Sequence, residues 1–319
     1  MSTMKTIVTE SPDEAAEFIR KGMITAFPTE TVYGLGADIF CTEAVDQIFE
    51  AKGRPSDNPL IVHISSPEQV EHVSSDVRSY ARLLIERLFP GPLTLVLKKD
   101  PRVPSIVTAG LDTVGVRMPR HDLALEFLRS CGTVVAAPSA NRSGRPSPTS
   151  WQSVLEDLDG RIPCLLKGGR SDIGLESTVV DCTGSAPVVL RRGAVSLKEL
   201  KTVTPDIQLI GEGDDRVSRS PGLRHRHYAP NAEVRLVGNP PIDPPPHSAY
   251  IGLITPENEG AFVLQRVCSS LEAYAYHLFE FFRACDASGV DVIYCQMPQE
   301  TGIGAAVADR LRRASERRA

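Results

Sequence analysis

Met23-Ile24-Thr25-Ala26-Phe27-Pro28-Thr29-Glu30-Thr31-Val32-Tyr33-Gly34-Leu35-Gly36 is the run on which the fold class turns. Met23 to Phe27 reads as a short buried strand. From Pro28 onward the apolar pattern gives way to two threonines, a carboxylate and two glycines. Post-strand loops are where α/β proteins place ligands. A merely structural turn is the other reading of the same residues.

Strand and helix signals alternate outward from this run. Upstream, Ser11-Pro12-Asp13-Glu14 is a capping-box pattern with proline at the first helical position, which predicts a helix to about Lys21. Downstream, Thr42 caps a second helix through Ile48 and Phe49, and Leu60 to Ile64 is another strand. Ser66-Pro67-Glu68-Gln69 opens a further helix. An amphipathic helix is predicted over Asp76 to Phe89, stopped by Pro90-Gly91-Pro92. Strands follow at Leu93 to Leu97, Val114 to Arg117, Thr133 to Ala136, Cys164 to Lys167, Thr178 to Asp181 and Val188 to Arg191, with a helix over Trp151 to Leu158. Several strands are close enough in sequence to pair antiparallel, so a mixed sheet is expected.

The pattern changes after Ile210. Residues 211–231 are polar, basic and poor in aliphatics, and read as a linker or lid, since loops that long are rarely idle. Strands at Glu233 to Val237, Ala249 to Ile254 and Val290 to Cys295 then alternate with helices near Leu271 to Arg283 and Ala305 to Ala314. The expected organisation is a larger domain at 1–210, the linker, and a small α/β domain at 232–319. A chain of 319 residues suits two cores better than one.

Composition narrows the class. Contents of 41% hydrophobic and 24% charged residues belong to an ordinary globular protein and exclude a disordered one. The apolar runs are too short to span a bilayer, and the N-terminus lacks the features of a signal peptide, so a cytoplasmic protein with no membrane partner is expected. Seven cysteines contain no Cys-x-x-Cys pair, which argues against a zinc ribbon or a disulfide framework and leaves them as small apolar residues. A net charge of −5 argues against nucleic-acid binding by global charge, though not against a local basic patch.

Three stretches carry chemistry. Lys52-Gly53-Arg54-Pro55-Ser56-Asp57-Asn58-Pro59 cannot be a helix interior. In extended backbone, Lys52 and Arg54 project to one face and offer adjacent positive charges suited to a polyphosphate. A solvated loop is the alternative. Thr113, Gly115 and Arg117 share a face of a predicted strand, where the guanidinium can take a carboxylate bidentately or simply face solvent. Pro138 to Thr149 offers hydroxyls, glycine and two arginines to phosphate oxygens. A disordered linker is the rival there, weakened because regular patterning resumes at Trp151. No phosphate-loop, His-Glu-x-x-His or Gly-x-Ser-x-Gly signature is present. Gly302-Ile303-Gly304 is half a dinucleotide fingerprint, but Val307 occupies the third glycine position, so a tight turn into a helix accounts for it better.

Taken in order, these stretches resemble the threonylcarbamoyl-AMP synthases, the YrdC-like family, in their longer two-domain form. The matching pieces are Phe27 to Gly36, Lys52 to Pro55 with Asn58 to Leu60, Pro90 to Thr94, Val116 to His121, Pro138 to Asn141 with Ser143-Gly144 and Pro146 to Thr149, Glu176 to Asp181, and Leu190-Arg191. Ser220-Pro221-Gly222 with Arg226 to Pro230, and Gly302 to Gly304 with Asp309 to Leu311 and Arg313-Ala314, are similar to the linker and terminal motifs of the two-domain members. The resemblance implies an N-terminal YrdC-like domain, with a twisted mixed sheet and flanking helices, and a smaller C-terminal Rossmann-like α/β domain.

It further implies a nucleotidyltransferase that makes threonylcarbamoyl-adenylate and pyrophosphate from ATP, L-threonine and bicarbonate. The product would pass to a tRNA-modifying transferase complex for threonylcarbamoyladenosine synthesis. Carried over by position, Thr31, His63, Arg117, Ala137 and Ser177 would surround threonine. Lys52, Arg54, Asn58, Thr113, Ser139, Asn141, Ser147 and Arg191 would surround ATP, with Tyr228 closing over the site. Lys52, Arg54 and Arg191 would act on the phosphates, and Mg²⁺ would be bound mainly through ATP with no protein ligand. One departure is Arg191-Arg192-Gly193, where the family has Arg-Pro-Gly; losing the proline is expected to free that backbone. The Arg-rich tail (Arg310, Arg312, Arg313, Arg317, Arg318) reads as favourable charge at a helix C-terminus, with a weak tRNA contact as the alternative. Two rival functions are a carbamoyl-adenylate-forming carbamoyltransferase and a double-stranded RNA-binding module. The first lacks its acylphosphatase-like and Cys-rich zinc parts here, and the second leaves the strand-end Thr, Ser and Asn clusters unexplained.

Overall fold

A computed structural model describes residues 5–211, 214, 216, 229–258 and 260–316. The first part of the chain builds a mixed sheet from β1 (Ile7–Thr9), β2 (Thr25–Phe27), β3 (Gly34–Asp38), β4 (Ile61–His63), β5 (Ser74–Asp76), β6 (Leu93–Lys99), β7 (Thr113–Arg117), β8 (Val135–Ala136), β9 (Cys164–Leu166), β10 (Thr178–Asp181), β11 (Val188–Arg191) and β12 (Gln208–Leu209). The strand order is β1-β9-β2-β3-β8-β4-β7-β6-β10-β11-β12, with β5 on β6. Sequence neighbours such as β2 and β3 or β6 and β7 pair antiparallel, whereas β4 and β7, far apart in sequence, pair in parallel.

Helices α1 (Pro12–Arg20), α2 (Thr42–Lys52), α3 (Ser79–Leu88), α4 (Ser105–Thr108), α5 (Asp122–Cys131), α6 (Trp151–Leu158) and α7 (Leu197–Val203) belong to this part. Ser11 caps α1 by accepting from the Glu14 backbone N–H at 3.3 Å, with Pro12 opening the helix. A separate parallel sheet, β13-β16-β14-β15, is formed by β13 (Glu233–Val237), β14 (Ser248–Gly252), β15 (Leu264–Val267) and β16 (Val292–Gln296). Helices α8 (Leu271–Ala287) and α9 (Gly304–Ser315) accompany it.

The two cores meet directly. Val32 and Leu175 of the first part are buried in the cluster formed by α8, α9 and the parallel sheet. At Gly174, φ is +81° and an added Cβ would stand 2.8 Å from the Tyr276 Cα on α8, so only glycine allows this approach. Glu280 of α8 accepts from the hydroxyls of Thr149, Ser150 and Ser153 around the start of α6.

Several sequence expectations are corrected. Lys52 and Arg54 are not on one extended strand face. Lys52 is the last residue of α2, and Gly53 caps it at φ 59°, so the chain reverses between the two cations. The loop expected through Gly36 becomes β3 at Gly34, because the Gly34–Asp38 backbone finds partners in both β2 and β8. The helix expected from Asp76 starts at Ser79, since Ser74 and Asp76 pair with β6 instead. The Arg-rich tail is not simply exposed charge at a helix end: Arg310 is fully buried. The backbone at Arg192 is held despite the missing proline, because its carbonyl accepts from Arg310 Nη2 at 3.2 Å and its side chain pairs with Glu300. Tyr228 and most of the expected linker lie outside the described residues. All seven cysteines are free thiols, and six are buried.

Candidate active site

Strand ends and two loops line a cleft. Its floor comes from β4 and β7, which pair in parallel with His63 opposite Arg117. The two side chains therefore stand side by side. β8 continues the floor into Ala137, whose N–H donates to Ile61 O at 2.8 Å. Gly34 bridges to Ser139 across this junction, and an added Cβ at Gly34 would lie 3.2 Å from the Phe27 ring.

Arg117 is buried and tethered three ways. It donates from Nε to Gly91 O at 3.4 Å, from Nη1 to Thr31 Oγ1 at 2.8 Å, and from Nη2 to Glu30 Oε2 at 2.6 Å. A guanidinium carries five N–H donors, so one remains on each terminal nitrogen. Thr31 Oγ1 also lies 2.9 Å from Thr29 Oγ1. Burial, and then the neighbouring Arg117 charge, push the His63 pKa down to about 3, so the ring is neutral. Its Nδ1 sits 3.2 Å from the Ile61 carbonyl, which puts the proton on Nδ1 and leaves Nε2 as an acceptor.

The opposite wall is the Pro138–Thr149 loop. The Asn141 amide holds it together by donating to the carbonyls of Arg142 (2.9 Å) and Arg145 (2.8 Å). Lys52 supports it from behind, with Nζ donating to Ser139 O and Asn141 O, both at 2.5 Å. Burial, and then the Arg54 charge, lower the Lys52 pKa well below its ordinary value. Arg54 lines the cleft and donates from Nη2 to Asn58 O at 3.1 Å. Arg191 donates to Ser177 O (3.1 Å) and Ser177 Oγ (3.2 Å), while Thr94 Oγ1 stands 2.8 Å from that hydroxyl.

Of the residues expected at the site, Thr31, Arg54, His63, Arg117, Ala137, Ser139, Asn141, Ser147, Ser177 and Arg191 line this single cleft. Lys52 and Asn58 stand behind its wall. Thr113 begins β7, four residues before Arg117, and does not line the cleft. Glu30 and Glu176 were quoted within motifs but assigned no role. Glu30 pairs with Arg117, and Glu176 accepts from Ser147 Oγ at 2.6 Å. Neither pairing has a spacing signature, since the partners lie 87 and 29 residues apart. Among the described residues no helix is long and apolar enough to cross a membrane.

Two family models match the chain. One, described as telomere recombination, covers residues 17–193, and one described as threonylcarbamoyl-AMP synthase, C-terminal domain, covers residues 195–316. The chain is 45% identical to the threonylcarbamoyl-AMP synthase of Pyrococcus abyssi over 316 residues, spanning 94% of this chain and 93% of that protein. It is 42% identical to the threonylcarbamoyl-AMP synthase of Bacillus subtilis over 319 residues, spanning 95% and 92%. Its fold is similar to the crystal structure of P. abyssi Sua5 complexed with L-threonine, at a TM-score of 0.90 and 42% identity over 97% of this chain and 98% of that one.

Proposed function

The chain belongs to the threonylcarbamoyl-AMP synthase family, and on that premise we propose that it joins L-threonine, bicarbonate and ATP into threonylcarbamoyl-adenylate with release of pyrophosphate. The observation that carries this reading is the cleft itself: a buried guanidinium with one N–H left on each terminal nitrogen beside a neutral imidazole, in a cleft also lined by a hydroxyl-rich loop and by Arg54, Arg145 and Arg191.

Arg117 receives the α-carboxylate of threonine through its remaining N–H pair. His63 Nε2 accepts the threonine hydroxyl proton, and Thr31, Ala137 and Ser177 complete that end. A site built to pair the hydroxyl rejects analogues lacking it, because its own acceptor is then stranded. ATP lies along Arg54, Ser139, Asn141, Ser147 and Arg191, with Lys52 supporting the loop that carries Ser139 and Asn141.

The threonine amine and bicarbonate form a carbamate and water. A carbamate oxygen then attacks the α-phosphorus, and pyrophosphate leaves with the bonding electrons. The electrophile belongs to ATP, so no covalent enzyme nucleophile is needed. Arg54 and Arg191 supply positioning and positive charge for the departing phosphates, the main terms in this chemistry. Mg²⁺ would be carried by the ATP phosphates, where it would neutralise charge on the departing pyrophosphate.

The reaction class is nucleotidyl transfer in the cytoplasm, and the consumer of the product is a transferase that modifies tRNA. Pyrophosphate release, measured with and without threonine and bicarbonate, tests the reading. Release that requires both supports it, and release independent of threonine refutes it.

A further inference from the structure

We propose that Arg310, on the last helix of the second domain, is a positioning residue that sets the hydrogen-bond polarity of Ser147 in the nucleotide half of the cleft. This rests on the reading of that half as an ATP site. Arg310 is the largest fully buried side chain among the described residues and does not line the cleft. It donates from Nε to Glu176 Oε2 at 2.8 Å, from Nη1 to Asp309 Oδ2 at 2.5 Å, and from Nη2 to the Arg192 carbonyl at 3.2 Å. The other Glu176 oxygen, Oε1, takes the Ser147 hydroxyl at 2.6 Å.

The consequence is chemical. An ionised carboxylate only accepts hydrogen bonds, so the Ser147 hydroxyl must be the donor. A contact of 2.6 Å is the length of a charge-assisted O–H···O⁻ bond. With its proton committed to Glu176, Ser147 presents only lone pairs to the cleft. It cannot donate to a phosphate oxygen, and it accepts from an N–H or O–H group. ATP offers such donors on its nucleoside, at the adenine amino group and the ribose hydroxyls. Ser147 is therefore assigned to the nucleoside and not to the phosphates.

The second domain holds the same point from another direction. Arg283 on α8 donates to the Pro146 carbonyl at 2.5 Å and to Asp157 Oδ2 at 2.9 Å, fixing the residue before Ser147. Without Arg310, Glu176 would be a buried carboxylate facing chiefly a serine, an uncompensated charge that the loop must move to relieve.

A double-mutant cycle tests the relay in the full chain, with ATP KM read from threonine-dependent pyrophosphate release. Arg310→Met is expected to raise ATP KM about tenfold and threonine KM less than about twofold. In a Ser147→Ala background the same substitution is expected to change ATP KM less than about twofold, because the relay then has no endpoint. An equal rise in both backgrounds, or an equal rise in threonine KM, overturns the proposal. Glu176→Gln covers the case in which Arg310→Met fails to fold. Its amide oxygen turns to Arg310 and its NH₂ to Ser147, so ATP KM should rise and Ser147→Ala should abolish that rise. An unchanged ATP KM in Glu176→Gln also overturns it. Wild-type protein that releases no pyrophosphate with threonine refutes the ATP-site reading itself, a result distinct from an additive cycle.

Discussion

Arg117 and Glu30 form a buried ion pair, with Nη2 2.6 Å from Oε2 and side chains only 5% and 2% exposed. The pair sets which edge of the guanidinium faces the cleft. Removing one partner leaves the other as an uncompensated buried charge, so Glu30→Ala is expected to cost about 3–5 kcal/mol in urea unfolding. A loss below about 1 kcal/mol would mean that solvent or another group already compensates Arg117.

Arg54 and Arg117 both line the cleft but are assigned to different substrates, and should fail differently. Arg117→Ala is expected to raise threonine KM by at least about tenfold with a smaller effect on ATP, and Arg54→Ala the reverse. Steady-state kinetics with each substrate varied in turn decides this. Equal losses for both substrates in both variants would reject the division of labour.

His63 is held neutral by burial, with a pKa of about 3 against an ordinary 6.5. Between these values the unfolded chain binds a proton at His63 that the folded chain does not, so the folded state loses stability as pH falls through this window. Above the ordinary value the term is constant. His63→Gln should therefore unfold with a shallower pH dependence than wild type between about pH 7 and about pH 4. Parallel curves would show that the imidazole is not buried neutral.

Gly193 presses its backbone on the Ser177–Thr178 peptide at the start of β10. A Cβ there would stand 2.2 Å from Thr178 N and 2.5 Å from Ser177 C, both backbone atoms that cannot yield cheaply. Gly193→Ala is expected to destabilise by about 1–3 kcal/mol and to lower activity by moving Arg191 and Ser177. Gly238→Ala, where a Cβ meets nothing within 4 Å, is the control and should stay within about 0.5 kcal/mol. Comparable losses in the two variants would point to backbone entropy and not to the contact.

The local elements were largely legible. The Ser11-Pro12 cap, the Trp151–Leu158 helix, and the Thr178–Asp181 and Val188–Arg191 strands rest on nearest-neighbour chemistry that a sequence displays. β15, with Gln265 and Arg266 at its centre, carries no strong local signal, whereas α5 and α7 do carry one, in an apolar helical face and in the Ser196–Glu199 capping box, and stand outside the elements read from the sequence. Lys52 was misjudged for a related reason. Gly53 was read as breaking a helix, when it ends one in the left-handed conformation and turns the cation inward.

By itself the sequence determined the α/β class and the set of hydroxyl, arginine and glycine motifs, because each is written in contiguous residues. Only the tertiary structure decided what those motifs do to one another. It turned Lys52 from a neighbour of Arg54 into a prop beneath the Ser139–Asn141 backbone. It set Arg310, 134 residues from Glu176, behind the cleft on one oxygen of that carboxylate. The physical reason is burial. A charged group removed from water must find an opposite charge or a hydrogen-bond partner in space, and nothing in its sequence neighbourhood specifies which one.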